Sequence, residues 1–270
     1  MNARLHIQTA SQDGITILKQ HYYTPPFKVA NITEDKKGGI LHVMLMSSSP
    51  GILDGDDHQL KIDIADNCRL QLHTQSYQRL FNMKKGASQN MEVVVHKNAS
   101  FVFIPHPVVP HEHSIFTARN TIHLHDDSHL VWGEILTCGR KLNGEQFIFS
   151  KYHSITDVFM NERLVIKENW LVQPSLLNVH AIGQWEGYSH QASLIIVNEP
   201  ETTSMAKEAM NDYLLQQSGI TFGISTFSPG GLIVRVLGYK AEQLFNSLNT
   251  LATFVSTGKP VNNKISAYAN

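Results

Sequence analysis

The sequence predicts a mainly β protein, and three observations carry that prediction. Apolar and polar residues alternate with a period of two from residue 3 to about 197. Turn-forming clusters interrupt the alternation roughly every 8–12 residues. Helical periodicity is confined to the last quarter of the chain. Many short strands so spaced imply a sandwich, a barrel or a solenoid. No exact short repeat is visible, so a solenoid of fixed period is not expected.

The elements follow in order. Leu60, Ile62 and Ile64 alternate with Lys61, Asp63 and Ala65, which marks a strand with one buried face. Comparable runs are Ile15–Gln20, Ile40–Met46, Arg69–Gln75, Met91–His96, Phe101–Ile104, Thr121–His125, Leu130–Leu136, Gln146–Ser150 and Arg163–Lys167. Between them stand Asp54-Gly55-Asp56-Asp57, Asp66-Asn67, Lys97-Asn98, Asp126-Asp127-Ser128 and Asn143-Gly144, all residue types that favour turns. After Asn198-Glu199-Pro200 the period changes. Met205, Ala206, Ala209, Met210, Tyr213 and Leu214 recur at helical spacing, with Gly219 as a left-handed stop. Strands Ile220–Phe227 and Leu232–Leu237 flank Ser228-Pro229-Gly230-Gly231. A second helix carries Leu244, Phe245, Leu248, Leu251, Ala252 and Val255 on one stripe, closed by Gly258 and Pro260. The expected organisation is one domain over 1–270: a β body to about 198, a helix–hairpin–helix cap over about 199–260, and a polar tail, 261–270.

Composition excludes several classes. The 270 residues hold 22 Lys+Arg against 23 Asp+Glu, a net charge of −1, and only 17% are charged. A near-neutral chain without a basic tract lacks the footprint of a nucleic-acid-binding protein. No stretch approaches the roughly 20 apolar residues of a membrane span, and the first residues turn polar too early for a signal peptide. Cys68 and Cys138 cannot build a disulfide framework and read as reduced thiols of a cytoplasmic protein. Against the sparse charge stand 15 histidines.

Four stretches offer chemistry. Six histidines fall between positions 106 and 129, among them His106, His111, His113, His123 and His125. On a strand His123 and His125 share a face, as do His111 and His113, and imidazole suits nickel, copper, zinc and iron. The ordinary alternative is a set of surface and edge-strand histidines making hydrogen bonds. The clustered acids of Ser49–Asp57 could hold a cation but equally form a hairpin turn. Leu72–Arg79 is a polar strand suited to lining something wet. Glu134, flanked by apolar strand residues, is expected to be partly buried, with Arg140 as the ordinary ion-pair partner. No nucleophile elbow, nucleotide loop or metalloprotease helix is present, so catalysis has no support.

In order, these segments resemble the urease accessory protein family UreD, also called UreH. Pro25-Pro26-Phe27-Lys28-Val29 resembles its opening segment. Pro50-Gly51-Ile52-Leu53-Asp54-Gly55-Asp56 stands for its Gly-Gly-x-x-Gly-Gly-Asp turn, with two of the glycines replaced. His73-Thr74-Gln75-Ser76-Tyr77-Gln78-Arg79-Leu80-Phe81 stands for its Thr-Thr-Gln strand, His73 replacing a Thr and Gln78-Arg79 a Thr-Lys pair. Pro105-His106-Pro107-Val108-Val109-Pro110 matches its proline segment, though His111-Glu112-His113 follows where an apolar residue is usual. Glu134, Gly139-Arg140, Gly144-Glu145 and Phe147 keep the spacing of its Glu…Gly-Arg…Gly-Glu-x-Phe motif. Gly230–Leu237 resembles its final hairpin. The resemblance spans residues 25–256.

The resemblance implies a mainly β fold, with many short strands in stacked, sandwich-like sheets, an irregular β-helical body and a C-terminal helix–hairpin–helix cap. It implies a non-catalytic maturation factor in the cytoplasm. Such a factor holds the urease structural subunits, recruits UreF and through it the GTPase UreG, and stands as two copies in a complex mediated by UreF. No cofactor is tightly bound; nickel is cargo, conducted to the urease active site. Asp56, Thr74, Ser76 and Glu134 are then tunnel-lining candidates, and His106, His111, His113, His123 and His125 transient nickel ligands. Weak, repeated oxygen and imidazole contacts suit conduction, because a tight site would trap the ion. The competing expectation is a metal-dependent, cupin-like β-fold enzyme with ligands drawn from the same histidines.

Overall fold

In this computed structural model the described residues are 1–228 and 230–256, so Pro229, the closing Gly258 and Pro260, and the tail 261–270 lie outside them. In chain order the strands begin with β1 (Asn2–Gln12), β2 (Ile15–Tyr23), β3 (Phe27–Asn31), β4 (Ile40–Ser47), β5 (Asp57–Ile64) and β6 (Arg69–Thr74). There follow β7 (Gln78–Leu80), β8 (Ala87–Val95), β9 (Ser100–Phe103), β10 (Val108–Pro110), β11 (Ile115–Leu124) and β12 (His129–Thr137). The chain ends β13 (Lys151–Met160), β14 (Arg163–Val172), β15 (His190–Val197), α1 (Pro200–Leu215), β16 (Ile220–Phe227), β17 (Gly231–Gly238) and α2 (Ala241–Ser256). The protein is thus mainly β, as expected.

From β4 to β13 the chain winds between two sheets. β1, β5, β8, β11 and β13 stack parallel in a seven-stranded sheet; β4, β6, β9 and β12 stack parallel in a ten-stranded one. Each coil passes from the first sheet to the second through a four-residue turn, at 65–68, 96–99 and 125–128. The third turn residue is Asn67, Asn98 or Asp127, with φ of 58°, 55° and 54°. Asn and Asp tolerate this left-handed conformation best among residues with a side chain. The turns bond to one another: Asn67 N donates to the Lys97 carbonyl (3.0 Å), Asn98 N to the Asp126 carbonyl (3.1 Å) and Asn98 Nδ2 to Asn67 Oδ1 (3.3 Å). Successive coils are not of equal length. Asp57 pairs with Ser88, Ser88 with Thr117 and Thr117 with His153. Unequal coils explain why the sequence has no fixed period.

Antiparallel strands close each stack. β2 and β14 flank the parallel strands of the first sheet, β3 and β15 those of the second. The C-terminal hairpin differs from expectation in its attachment, because β17 pairs with β15 and continues the ten-stranded sheet. α1 and α2 lie on the outer face of that sheet, where Met210, Leu214, Leu244, Leu248 and Leu251 cover Val131, Ile135, Leu194 and Ile196. β15 is buried on both faces, so its second half, Leu194-Ile195-Ile196-Val197, is a continuous apolar run rather than an alternation. The expected strand Gln146–Ser150 is instead irregular: Phe147 has φ of 55° and its amide donates to Cys138 in the connector. No helix among the described residues is long and apolar enough to cross a membrane.

Candidate functional site: a cavity with polar groups between the sheets

Two apolar clusters fill the space between the sheets. One, near the four-residue turns, is built on Ile62, Val93, Phe101, Ile122 and Trp132; the other, under the longer connectors, on Leu80, Phe116, Leu136, Phe149 and Trp185. Between them lies a cavity of about 170 Å³. Its polar wall follows from strand phase. In β5, His58 occupies the inward phase shared by Leu60, Ile62 and Ile64; in β11, Asn120 shares the phase of Ala118 and Ile122; in β12, Glu134 shares that of Trp132 and Leu136. Register then sets His58 beside Gln89, and Ala118 between Gln89 and Ser154, on one row. The exposed Gln75, Ser76 and Tyr77, with Ser47, form the mouth.

Glu134 is the acidic group on this wall. Its Oε1 accepts hydrogen bonds from Thr156 Oγ1 (2.8 Å), Trp132 Nε1 (3.1 Å) and Asn120 Nδ2 (3.2 Å). It keeps some accessible area although it lies between the sheets, and that area faces the cavity. Burial raises its pKa, and these hydrogen bonds only partly oppose the shift. The expected ion pair with Arg140 does not form: Arg140 Nε donates to Glu145 Oε2 at 2.8 Å, out on the connector.

The other predicted residues divide. Thr74 and Ser76 join Glu134 in the lining. Thr74 Oγ1 receives the His106 amide at 2.9 Å and lies within hydrogen-bond distance of His106 Nδ1, also at 2.9 Å. His106 is thereby held just behind the wall, stacked on Phe245 of α2 with centroids 4.4 Å apart. Asp56 is not on the wall. It organises the acidic turn, its Oδ2 accepting the Leu53 amide at 2.9 Å and its Oδ1 lying 2.8 Å from the Met1 amino nitrogen.

The remaining histidines do not converge. His111 is buried against Phe81, and His113 is exposed beside Glu112. His123 stacks on Phe159 and His125 on His96. The two pairs stand at opposite ends of β11, about 30 Å apart at roughly 3.3 Å per residue. Among the described residues no group of three or more His, Cys, Asp or Glu is placed to hold a metal. The cupin-like ligand set is therefore not assembled.

Sequence reasoning missed His58, Gln89, Asn120 and Ser154. His58 is 4% exposed, its Nε2 has no hydrogen-bond partner, and Asp56 Oδ2 stands 3.8 Å away. Burial, the largest cause, lowers its pKa, so the ring is neutral and keeps a free lone pair. The signal was a polar residue in an otherwise apolar strand phase.

Comparison with known proteins gives the family. Residues 1–265 match the family described as UreD urease accessory protein. The chain is 46% identical over 249 residues to the urease accessory protein UreD of Flavobacterium johnsoniae, covering 92% of this chain and 90% of that protein. It is 35% identical over 259 residues to UreD of Haemophilus influenzae strain 86-028NP, covering 90% and 95%. With UreD of Acetivibrio thermocellus it shares 30% over 250 residues, covering 92% and 95%. With the family matched over almost its whole length, the chain belongs to the UreD urease accessory proteins.

Proposed function

We propose that this chain is a non-catalytic scaffold of urease maturation, which holds the urease apoprotein while UreF and UreG dock and which conducts nickel toward the urease active site. Its family is one of accessory proteins rather than enzymes, which supports a role in maturation. The observation that carries the finer reading is the cavity whose largely apolar wall bears the Glu134 carboxylate, His58, Thr74 and Asn120. Its oxygen and imidazole groups are of the kind that bind Ni²⁺ weakly and in succession, as conduction requires. The partners proposed are the urease structural subunits, UreF, and UreG through UreF, in a cytoplasmic complex holding two copies of this chain. Nickel is cargo here, not a resident cofactor.

Of the candidate histidines, His106 adjoins the wall through Thr74, whereas His113 and His125 stand away from it. Co-expression of urease with the accessory set tests the proposal. Omitting this chain is expected to leave urease nickel-poor and inactive, and full nickel loading without it would refute the reading. At limiting nickel, His106→Gln and Glu134→Gln are expected to lower activation, with His113→Gln and His125→Gln unchanged.

A further inference from the structure

Two histidines outside the cavity meet on the outer face of the ten-stranded sheet. His42 on β4 and His73 on β6 stand on neighbouring parallel strands, with Gln71 opposite His42 and Met44 opposite His73. Leu41, Val43, Leu70 and Leu72 take the buried phase, so strand alternation turns both imidazoles outward. His42 Nδ1 and His73 Nε2 are 3.1 Å apart, with ring centroids at 5.4 Å and planes within 22°. The rings therefore meet end-on, nitrogen to nitrogen, across one shared hydrogen.

That contact excludes two protonated rings, because two N–H groups would then face each other. Burial lowers both pKa values, and the Glu34 carboxylate opposes this only in part at His42. His73 falls to about 4 through burial, then through repulsion from His42 and His106. At neutral pH both are neutral imidazoles, the form that ligates metals.

We propose that His42 and His73 form a two-imidazole seat for a divalent transition ion of the nickel–copper type, on the surface beside the mouth of the cavity. Two nitrogens 3.1 Å apart, each about 2.1 Å from an ion, subtend about 95° at it. That is close to the right angle of square-planar and octahedral ions. For the ion to enter, the ring donating the shared hydrogen passes to its other tautomer, its proton moving to the far ring nitrogen. Both rings then turn their lone pairs to the ion, with no net proton released. Met44 offers a thioether on the same face, in register with His73. No third His, Cys, Asp or Glu among the described residues completes the site as it stands. The other positions fall to water or to the group that next takes the ion, so the seat loads and unloads readily. Thr74, the next residue on β6, takes the opposite phase and lines the cavity, so the seat stands across the strand from the cavity wall. Binding at the pair does not depend on the maturation reading, and a test on the isolated chain separates the two.

The test is titration of the purified full chain with nickel chloride, followed by NMR of the histidine rings and by calorimetry. The first equivalent is expected to broaden the His42 and His73 ring signals before those of His96 and His125, a stacked pair in which His96 is bound to Asp63 instead. His42→Gln and His73→Gln should each weaken that first binding at least about tenfold, the lower bound for losing even an outer partner of a metal ligand. His96→Gln should leave it unchanged. First broadening at other histidines, or wild-type titration by both variants, would overturn the proposal. The NMR readout uses the unaltered chain, so the test survives a variant that folds poorly.

Discussion

Glu134 stands in a phase of β12 that Leu130, Trp132 and Leu136 would otherwise make an unbroken apolar row. Its burial raises the folded pKa above that of the unfolded chain. The folded state thus binds the proton more tightly, and the stability linked to it is full below the ordinary carboxylate range. That stability is lost as pH rises through the folded value. Glu134→Gln keeps an oxygen for Trp132, Asn120 and Thr156 and removes the charge. The variant is expected to melt with the wild type at pH 4 and a few degrees higher at pH 8, measured by thermal scans. A variant less stable at both pH values would contradict this account. Gly51 is the complementary case, a residue needed for what it lacks. A Cβ there would run into the Arg79 carbonyl and the Phe81 ring, next to the bridge between Ile52 and Leu80. Gly51→Ala is expected to cost about 1–3 kcal/mol in urea denaturation, the usual penalty of overpacking. At this scale the sequence was informative where chemistry stood out from its pattern. Thr74, Ser76 and Glu134 were legible through the family motifs. His58 was hidden because a lone imidazole in an apolar strand phase has the same local sequence whether it faces a cavity or a packed core.

The four-residue turns are the elements that set the register of the coils. Each needs a left-handed residue at its third position, and each is bonded to its neighbours in the stack. Asn98→Ala places an ordinary Cβ at φ of 55° and removes the amide donor to Asn67. The expected loss is about 1–2 kcal/mol, with Asn98→Gly losing less because glycine has no such penalty. Equal losses for the two variants would show that the side-chain bond, not the backbone conformation, governs the turn. These turns were readable from Asp66-Asn67, Lys97-Asn98 and Asp126-Asp127, and most strands between them from their alternation. What could not be read was which sheet each strand joins. Within the coils the strands on either side of each four-residue turn belong to different sheets, so neighbours in the chain there are not neighbours in a ladder. For the same reason the six histidines of 106–129 look like one cluster in sequence and are scattered in space. The run crosses from a connector, along β11, to the opposite turn.

For the whole molecule, the hairpin and helices at the C-terminus are part of the body's own sheet. Without β16, β17, α1 and α2 the outer face of β12 and β15 would expose Val131, Ile135, Leu194 and Ile196 together. A chain ending at Asn198 is therefore expected to aggregate, or to lose the cooperative unfolding transition of the full chain in calorimetry. A soluble fragment with native-like circular dichroism would show the body to be self-sufficient. The period change after Asn198 was legible, but the ladder between β15 and β17 was not, because it forms between segments some forty residues apart. Among the described residues no helix covers the outer face of the seven-stranded sheet, which carries Arg4, Lys61, Glu92, Arg119 and Thr121, the charged and polar side expected of a sheet facing solvent. The antiparallel strands that flank both parallel stacks have a further consequence. A parallel coil with a bare end is a template on which the next molecule's first coil can lie in register, and copies so joined would grow as a fibre. Here a second copy meets strands of the opposite direction at each end, set back by hairpin turns. The parallel coils themselves are thereby covered at both ends, and the edges left open belong to hairpin strands outside the winding.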